Sequence, residues 1–161
     1  MPTDFDIISQ TLTPVYTDEA NRKRLTLYIC SQDAIAQLPQ FQSLERLNII
    51  FDADNIDLSP IAALAPRLKK LVLMDYRGTD ISPLRELKGL KRLCLWGCDA
   101  VTDLSPIAGL TELEALHMDI AAIDLRPLAG LTNLKTLGLK PGTNWDLSPI
   151  AHLTCERVDC D

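Results

Sequence analysis

The stretch "DLSPIAGL" at residues 103–110 decides the fold because it has close copies: "DLSPIAAL" at 57–64, "DISPLREL" at 80–87, "DLRPLAGL" at 124–131 and "DLSPIAHL" at 146–153. A recurring segment of fixed period sets the architecture before any single motif does, since one unit cannot bury its apolar face alone and must stack on its neighbours. Working outward, each octet is paired with a second recurring segment: "LERLNI" from Leu44, "LKKLVL" from Leu68, "LKRLCL" from Leu90, "LEALHM" from Leu113 and "LKTLGL" from Leu134. Degraded copies flank them, "RKRLTL" from Arg22 and "CERVDC" from Cys155, and successive starts lie 22, 24, 22, 23, 21 and 21 residues apart.

In L-x-x-L-x-L the last two leucines alternate, the pattern of a strand with one buried face. Each unit therefore adds one strand to a parallel sheet. The octet supplies the return path. Ser is a favoured N-cap and Pro at the first helical position loses no needed donor, so Ser59-Pro60, Ser82-Pro83, Ser105-Pro106 and Ser148-Pro149 read as helix starts, while Arg126-Pro127 keeps only the Pro. The spacing leaves room for one helical turn, α or 3₁₀. Ile61 and Leu64, Leu84 and Leu87, Ile107 and Leu110, Leu128 and Leu131, and Ile150 and Leu153 sit three apart and point into the core.

These segments and their period give the chain a resemblance to the leucine-rich repeat family, and within it to the short-period bacterial type found in internalins. The resemblance covers Arg22 to Asp161. It implies an α/β, right-handed solenoid with a curved parallel sheet on the concave face and short helical or 3₁₀ turns on the convex face. The chain departs from the family where Asn is usual: Cys30, Asp52, Asp75, Cys98, Ala121 and Gly142 stand there, which implies a weakened asparagine ladder and looser turns. Residues 1–21, with Phe5, Ile7, Ile8, Leu12, Val15 and Tyr16, are expected to form an N-terminal cap of one or two strands, and 22–161 the solenoid, as one domain. "CERVDCD" reads as a last strand whose acids Glu156, Asp159 and Asp161 blunt the edge; otherwise a partner or a second copy completes the stack, so homo-oligomers through the edges are an open expectation.

Composition excludes several function classes. A net charge of −6 on 161 residues argues against a general nucleic-acid or membrane-surface binder. No basic-then-apolar leader and no run near ~18 apolar residues is visible, so a soluble cytoplasmic protein is expected. Five cysteines match neither a zinc site nor a disulfide framework. Cys155 and Cys160 replace repeat leucines and read as core residues, and Cys30 and Cys98 as buried ladder positions. His117 and His152 fall in different layers. Cys94 and His117 are the only nucleophile-and-base pair the register offers, without an orienting third group, so no enzyme, no cofactor and no metal is expected. The octet aspartates Asp57, Asp80, Asp103, Asp124 and Asp146 suit the start of a helical turn better than a calcium ladder.

Function falls to the positions that the core leaves free. Three columns project from the concave face: Arg24, Arg46, Lys70, Arg92, Ala115, Thr136 and Arg157; Thr26, Asn48, Val72, Cys94, His117, Gly138 and Asp159; and Tyr28, Ile50, Met74, Trp96, Asp119, Lys140 and Asp161. The first four units carry a basic ladder beside an apolar, aromatic one. The candidate partner-binding set is Arg24, Tyr28, Arg46, Ile50, Lys70, Met74, Arg92, Trp96, His117 and Asp119. Exposed Tyr, Trp, Met and Arg are enriched at interface hot spots; the plain alternative is that the apolar ladder packs on itself or lies under the N-terminal segment. A nucleic acid tracked by the cations fits the acidic chain less well than a protein with an acidic and apolar contact surface. The expected role is a non-catalytic interaction module that masks or inhibits a partner, as a toxin-neutralising immunity protein does; the alternative is a secreted effector or adaptor recruiting a host protein.

Overall fold

The computed structural model describes residues 13–17, 23–29, 31–41, 43–120, 124–140 and 145–154. Seven strands form one sheet in sequence order. Strands β2 (Arg24–Ile29), β3 (Arg46–Phe51), β4 (Lys70–Met74), β5 (Arg92–Trp96), β6 (Ala115–Met118) and β7 (Thr136–Leu139) are parallel, and β1 (Thr13–Thr17) pairs antiparallel with β2. The register sets like on like. Leu25, Leu47, Leu71, Leu93, Leu116 and Leu137 face one another in turn, as do Leu27, Ile49, Leu73, Leu95, Met118 and Leu139. All but the last are buried, each contributing roughly 1.5–3 kcal/mol of apolar burial.

Each coil is fastened to the next at its strand entry by one carbonyl that accepts twice. Lys23 O takes the amides of Glu45 and Arg46 at 2.9 and 2.8 Å, Glu45 O those of Lys69 and Lys70, Lys69 O those of Lys91 and Arg92, Lys91 O those of Glu114 and Ala115, and Glu114 O those of Lys135 and Thr136. Both lone pairs of the carbonyl are used, so the entry geometry repeats from unit to unit.

The octets form 3₁₀ turns at Ser59–Leu64, Ser82–Glu86, Ser105–Ile107, Arg126–Gly130 and Ser148–Ile150. The core pairs point inward as expected, except that Leu153 is only half-buried. The expected serine N-caps are absent. The capping positions are Leu58, Ile81, Leu104, Leu125 and Leu147, none with a side-chain cap bond. Ser or Arg stands at the first turn position and Pro at the second, so the amide in need of a partner is that of Ser or Arg itself. The octet aspartate meets it from two residues back, the geometry of an Asx turn: Asp57, Asp80, Asp103, Asp124 and Asp146 Oδ1 accept from Ser59, Ser82, Ser105, Arg126 and Ser148 N at 2.7–3.0 Å. The leading unit has no octet and returns differently, through helix α1 (Gln32–Ile35), capped by Ser31 Oγ on Ala34 N at 3.4 Å, and a 3₁₀ turn at Leu38–Gln40.

The ladder position needs a correction in the unit from Leu68. The residue in step with Cys98 is Tyr76, not Asp75: Asp75 is exposed at φ 59°, and this left-handed step turns the following ring into the core. Tyr76 packs on Phe51 with centroids 5.1 Å apart, and its hydroxyl lies 3.1 Å from Ile56 O and 3.0 Å from Asp80 O. Cys98 is buried with Sγ 3.6 Å from Leu73 O and 3.4 Å from Trp96 O. A phenol and a thiol thus bond the carbonyls that lie behind the strands. Asp52 is exposed, and the neighbouring Phe51 is buried. Cys30, Ala121 and Gly142 lie outside the described residues, as do residues 5–12 of the expected cap, Arg157 and the last strand expected from Cys155 to Asp161. Leu147 is 50% exposed although its counterparts Leu58, Ile81, Leu104 and Leu125 are each 1% exposed, because no described coil stacks on it.

Candidate functional site

The sheet face turned away from the 3₁₀ turns carries the three expected columns in register. Arg24, Arg46, Lys70, Arg92, Ala115 and Thr136 are consecutive Cα partners; so are Thr26, Asn48, Val72, Cys94, His117 and Gly138; and Tyr28, Ile50, Met74 and Trp96 complete the third. Parallel pairing without slippage is what puts like residues on like, since a shift of one residue would turn the cations into the core.

The first column is basic and open. Arg24, Arg46 and Arg92 are exposed, Lys70 is partly so, and none makes an ion pair among the described residues. One residue upstream the charges behave differently. Lys23 pairs with Glu45 at 2.7 Å, Lys91 with Glu112 at 2.9 Å and Glu114 at 3.2 Å, and Lys135 with Glu114 at 2.9 Å. These partners hold the Glu45 and Glu114 carboxyls below the usual range, Lys23 acting on the first and Lys135 on the second. Most strand-entry charges are therefore paired within the chain, Lys69 excepted, whose Nζ donates to Gly89 O at 3.2 Å, while the adjoining column has no ion pair among the described residues.

The third column supplies apolar contact area. Tyr28 is 39% exposed, and Ile50, Met74 and Trp96 are partly exposed. The stripe ends at the next rung, where Lys140 Nζ lies 2.8 Å from Asp119 Oδ1 and 3.1 Å from Asp99 Oδ1. Asp119, expected as a contact residue, is half-buried and engaged by this lysine. Between the walls lie short side chains, with Asn48 Nδ2 donating to Thr26 Oγ1 at 3.3 Å and Val72 buried. His117 continues this column, and its imidazole is held below the usual range first by burial, then by Lys70 and Arg92.

A depression of about 360 Å³ opens at the strand exits, lined by Tyr28, Ile50, Phe51, Asp52, Asp75, Arg77 and Gly97. Of these, Asp52, Asp75, Arg77 and Gly97 are not legible as site residues in the sequence, because the segment after each strand varies in length. The one signal is Gly97 beside Asp75, two neighbouring rungs in the same left-handed conformation.

Among the described residues no group of three or more His, Cys, Asp or Glu could hold a metal ion. Cys94 and His117 are adjacent in register, and His152 lies elsewhere, its Nε2 2.9 Å from Ala129 O. No helix among the described residues is long and apolar enough to cross a membrane.

No family model matches the sequence, and no curated protein does. Solved structures do match. An internalin (inlF) from Listeria monocytogenes superposes with a TM-score of 0.64 at 22% identity over 84% of this chain and 46% of that one. Internalin C2 (inlC2) from the same organism gives 0.56 at 25% identity over 84% and 70%. The TLR13–ssRNA13 complex gives 0.52 at 18% identity over 80% and 21%. The chain thus spans about half the length of inlF.

Proposed function

We propose that this chain, an α/β solenoid of the internalin-like leucine-rich repeat fold, is a non-catalytic protein-binding module whose open sheet face seats a partner presenting acidic and apolar groups. One observation carries the reading: four cations in register, unpaired among the described residues, flank an apolar stripe that is partly open to water. Like charges directly opposite one another on neighbouring strands destabilise a sheet. A chain of net charge −6 has acids enough to neutralise that column, as it pairs most of the charges one residue upstream. A repulsion that no described acid of the chain relieves is accounted for by a counter-charge from outside. Tyr28, Met74 and Trp96 are residue types that carry binding energy once desolvated. The same net charge weighs against nucleic acid.

In its finer form the act is masking. A preformed face that needs only complementarity suits an immunity protein that covers a toxin's working surface, in the cytoplasm, where the free thiols of Cys94 and Cys98 stay reduced. Co-expression with a toxin encoded beside this gene tests that form, with restored growth expected and no protection overturning it. The general reading is tested by affinity capture from the native cell with wild type and a Met74→Asp, Trp96→Asp variant whose fold is checked by circular dichroism. A partner held by wild type and lost by the folded variant is the expected result. Equal capture by both sinks the open face as the site.

A further inference from the structure

The basic and apolar columns are walls of unequal chemistry around a lower floor. Arg24 and Tyr28 lie four residues apart on β2, about 13 Å at ~3.3 Å per residue, and the same offset separates Arg46 from Ile50 and Arg92 from Trp96. The floor between them is made of shorter side chains, Thr26, Asn48 and Val72 among them. An α-helix with its side chains is about 10–12 Å across, so the width suits one helix lying in the trough.

The length scale agrees. Rungs of the sheet repeat about every 4.8 Å. A helix laid across the strands repeats a side chain on each flank every ~5.4 Å, so over three intervals the mismatch accumulates to about 2 Å, within the reach of Arg and Lys side chains. A strand laid the same way repeats every ~6.6 Å and drifts by about 5 Å over the same span. It also points its side chains to two opposite faces, toward floor and solvent, and leaves both walls unserved. The trough is not a sheet edge, so backbone pairing offers no compensation.

We infer that the occupant is an α-helix of the partner, running perpendicular to the strands, with carboxylates on the flank that meets Arg46 and Lys70 and apolar side chains on the flank that meets Met74 and Trp96. This rests on the reading of the open face as a protein-binding surface and names the shape and handed chemistry of what binds there. Spacing on such a helix is i, i+4, i+7 for the acids. Its contacting length is about 10–14 residues, because the Lys140–Asp119 pair and the loss of cations at Ala115 close the trough beyond β5.

The test is a selection on the full chain with two displayed peptide libraries of about 14 residues, one held helical by i, i+4 lactam bridges and one linear, the winners then being measured against the folded Met74→Asp, Trp96→Asp variant. The expected winners come from the helical library, carry Asp or Glu at i, i+4 and i+7 opposite an apolar flank, and lose about tenfold or more in affinity against Arg46→Glu, Lys70→Glu, with recovery when the peptide's acids become Lys. Enrichment from the linear library alone, acids absent from the winners, or no recovery on charge exchange overturns the helix while leaving a protein-binding face in place. Winners that bind the Met74→Asp, Trp96→Asp variant equally sink both readings. Tight retention of oligouridylate by the basic column at physiological ionic strength also overturns the inference, in favour of nucleic acid.

Discussion

Gly97 and Asp75 stand on adjacent rungs in the same left-handed conformation, at φ 60° and 59°, and a Cβ on Gly97 would lie 2.6 Å from Asp75 Oδ1. Left-handed backbone costs a side-chain-bearing residue about 1–2 kcal/mol, and the exposed Asp75 carboxylate can rotate away. Gly97→Ala is therefore expected to lower stability by about 1–2 kcal/mol in urea unfolding. Nearly the same loss is expected in an Asp75→Ala background. A loss that vanishes there would assign the cost to the side-chain collision instead of the backbone.

The octet aspartates make the 3₁₀ turns start where they do. Asp103 accepts from Ser105 N at 2.8 Å and Ser105 Oγ at 2.9 Å, so Asp103→Ala should cost about 1 kcal/mol and Asp103→Asn, which keeps an acceptor oxygen, much less. The Asp57, Asp80, Asp124 and Asp146 carboxyls are held below the usual aspartate range, by the Ser59 hydroxyl, the Ser82 amide, the Arg126 side chain and the Ser148 hydroxyl respectively. A carboxyl with a lower pKa folded than unfolded contributes stability above the unfolded value of about 3.9, and loses it as pH falls through the folded value. His117, also lowered, withdraws its share earlier, as pH falls below about 6.5. Chemical denaturation from pH 7 to 3 should thus show a shallow first decline, removed by His117→Asn, and a steeper one below about pH 4. Salt should shrink the steeper step, since these carboxyls are exposed.

Tyr76 and Cys98 replace the usual asparagine by burying a donor behind the strands. Burial pushes the Tyr76 phenol up to about 12 and the Cys98 thiol up to about 11. Tyr76→Phe leaves Ile56 O and Asp80 O without that donor and should cost about 1–3 kcal/mol. Alkylation at pH 8 should modify Cys94, which is partly accessible, well before Cys98, which should react only on unfolding. Equal rates for the two thiols would contradict the burial of Cys98.

The strands and their columns are legible because L-x-x-L-x-L alternates with a period that matches the pleat, so every residue from Arg24 to Trp96 on the open face can be placed by counting. The octet core pairs are legible for the same reason. What fails has other causes. The ladder residue of the unit from Leu68 is Tyr76, eight residues after Leu68 as Cys98 is eight after Leu90; an aromatic ring where a small polar side chain is usual hides it behind its polar neighbour Asp75. The serine caps fail because a 3₁₀ turn that begins at Ser needs its acceptor upstream, which makes the aspartate the capping residue. The depression at the strand exits is built by segments of unequal length, and Arg77 and Gly97 could not be assigned to it by register.

Lys70 provides the last prediction, because folding and binding pull on it in opposite directions. It stands between Arg46 and Arg92 as the Cα partner of both, with no carboxylate paired to it among the described residues. Like charges on directly opposite positions destabilise by about 0.2–1 kcal/mol, so Lys70→Gln should raise stability by a few tenths of a kcal/mol. Raising salt should stabilise wild type more than the variant, since there is less repulsion left to screen. The same substitution should weaken capture of the partner and flatten its salt dependence. A variant that is both less stable and equally good at capture would mean that Lys70 serves the sheet, and the basic column would lose its claim to be a binding wall.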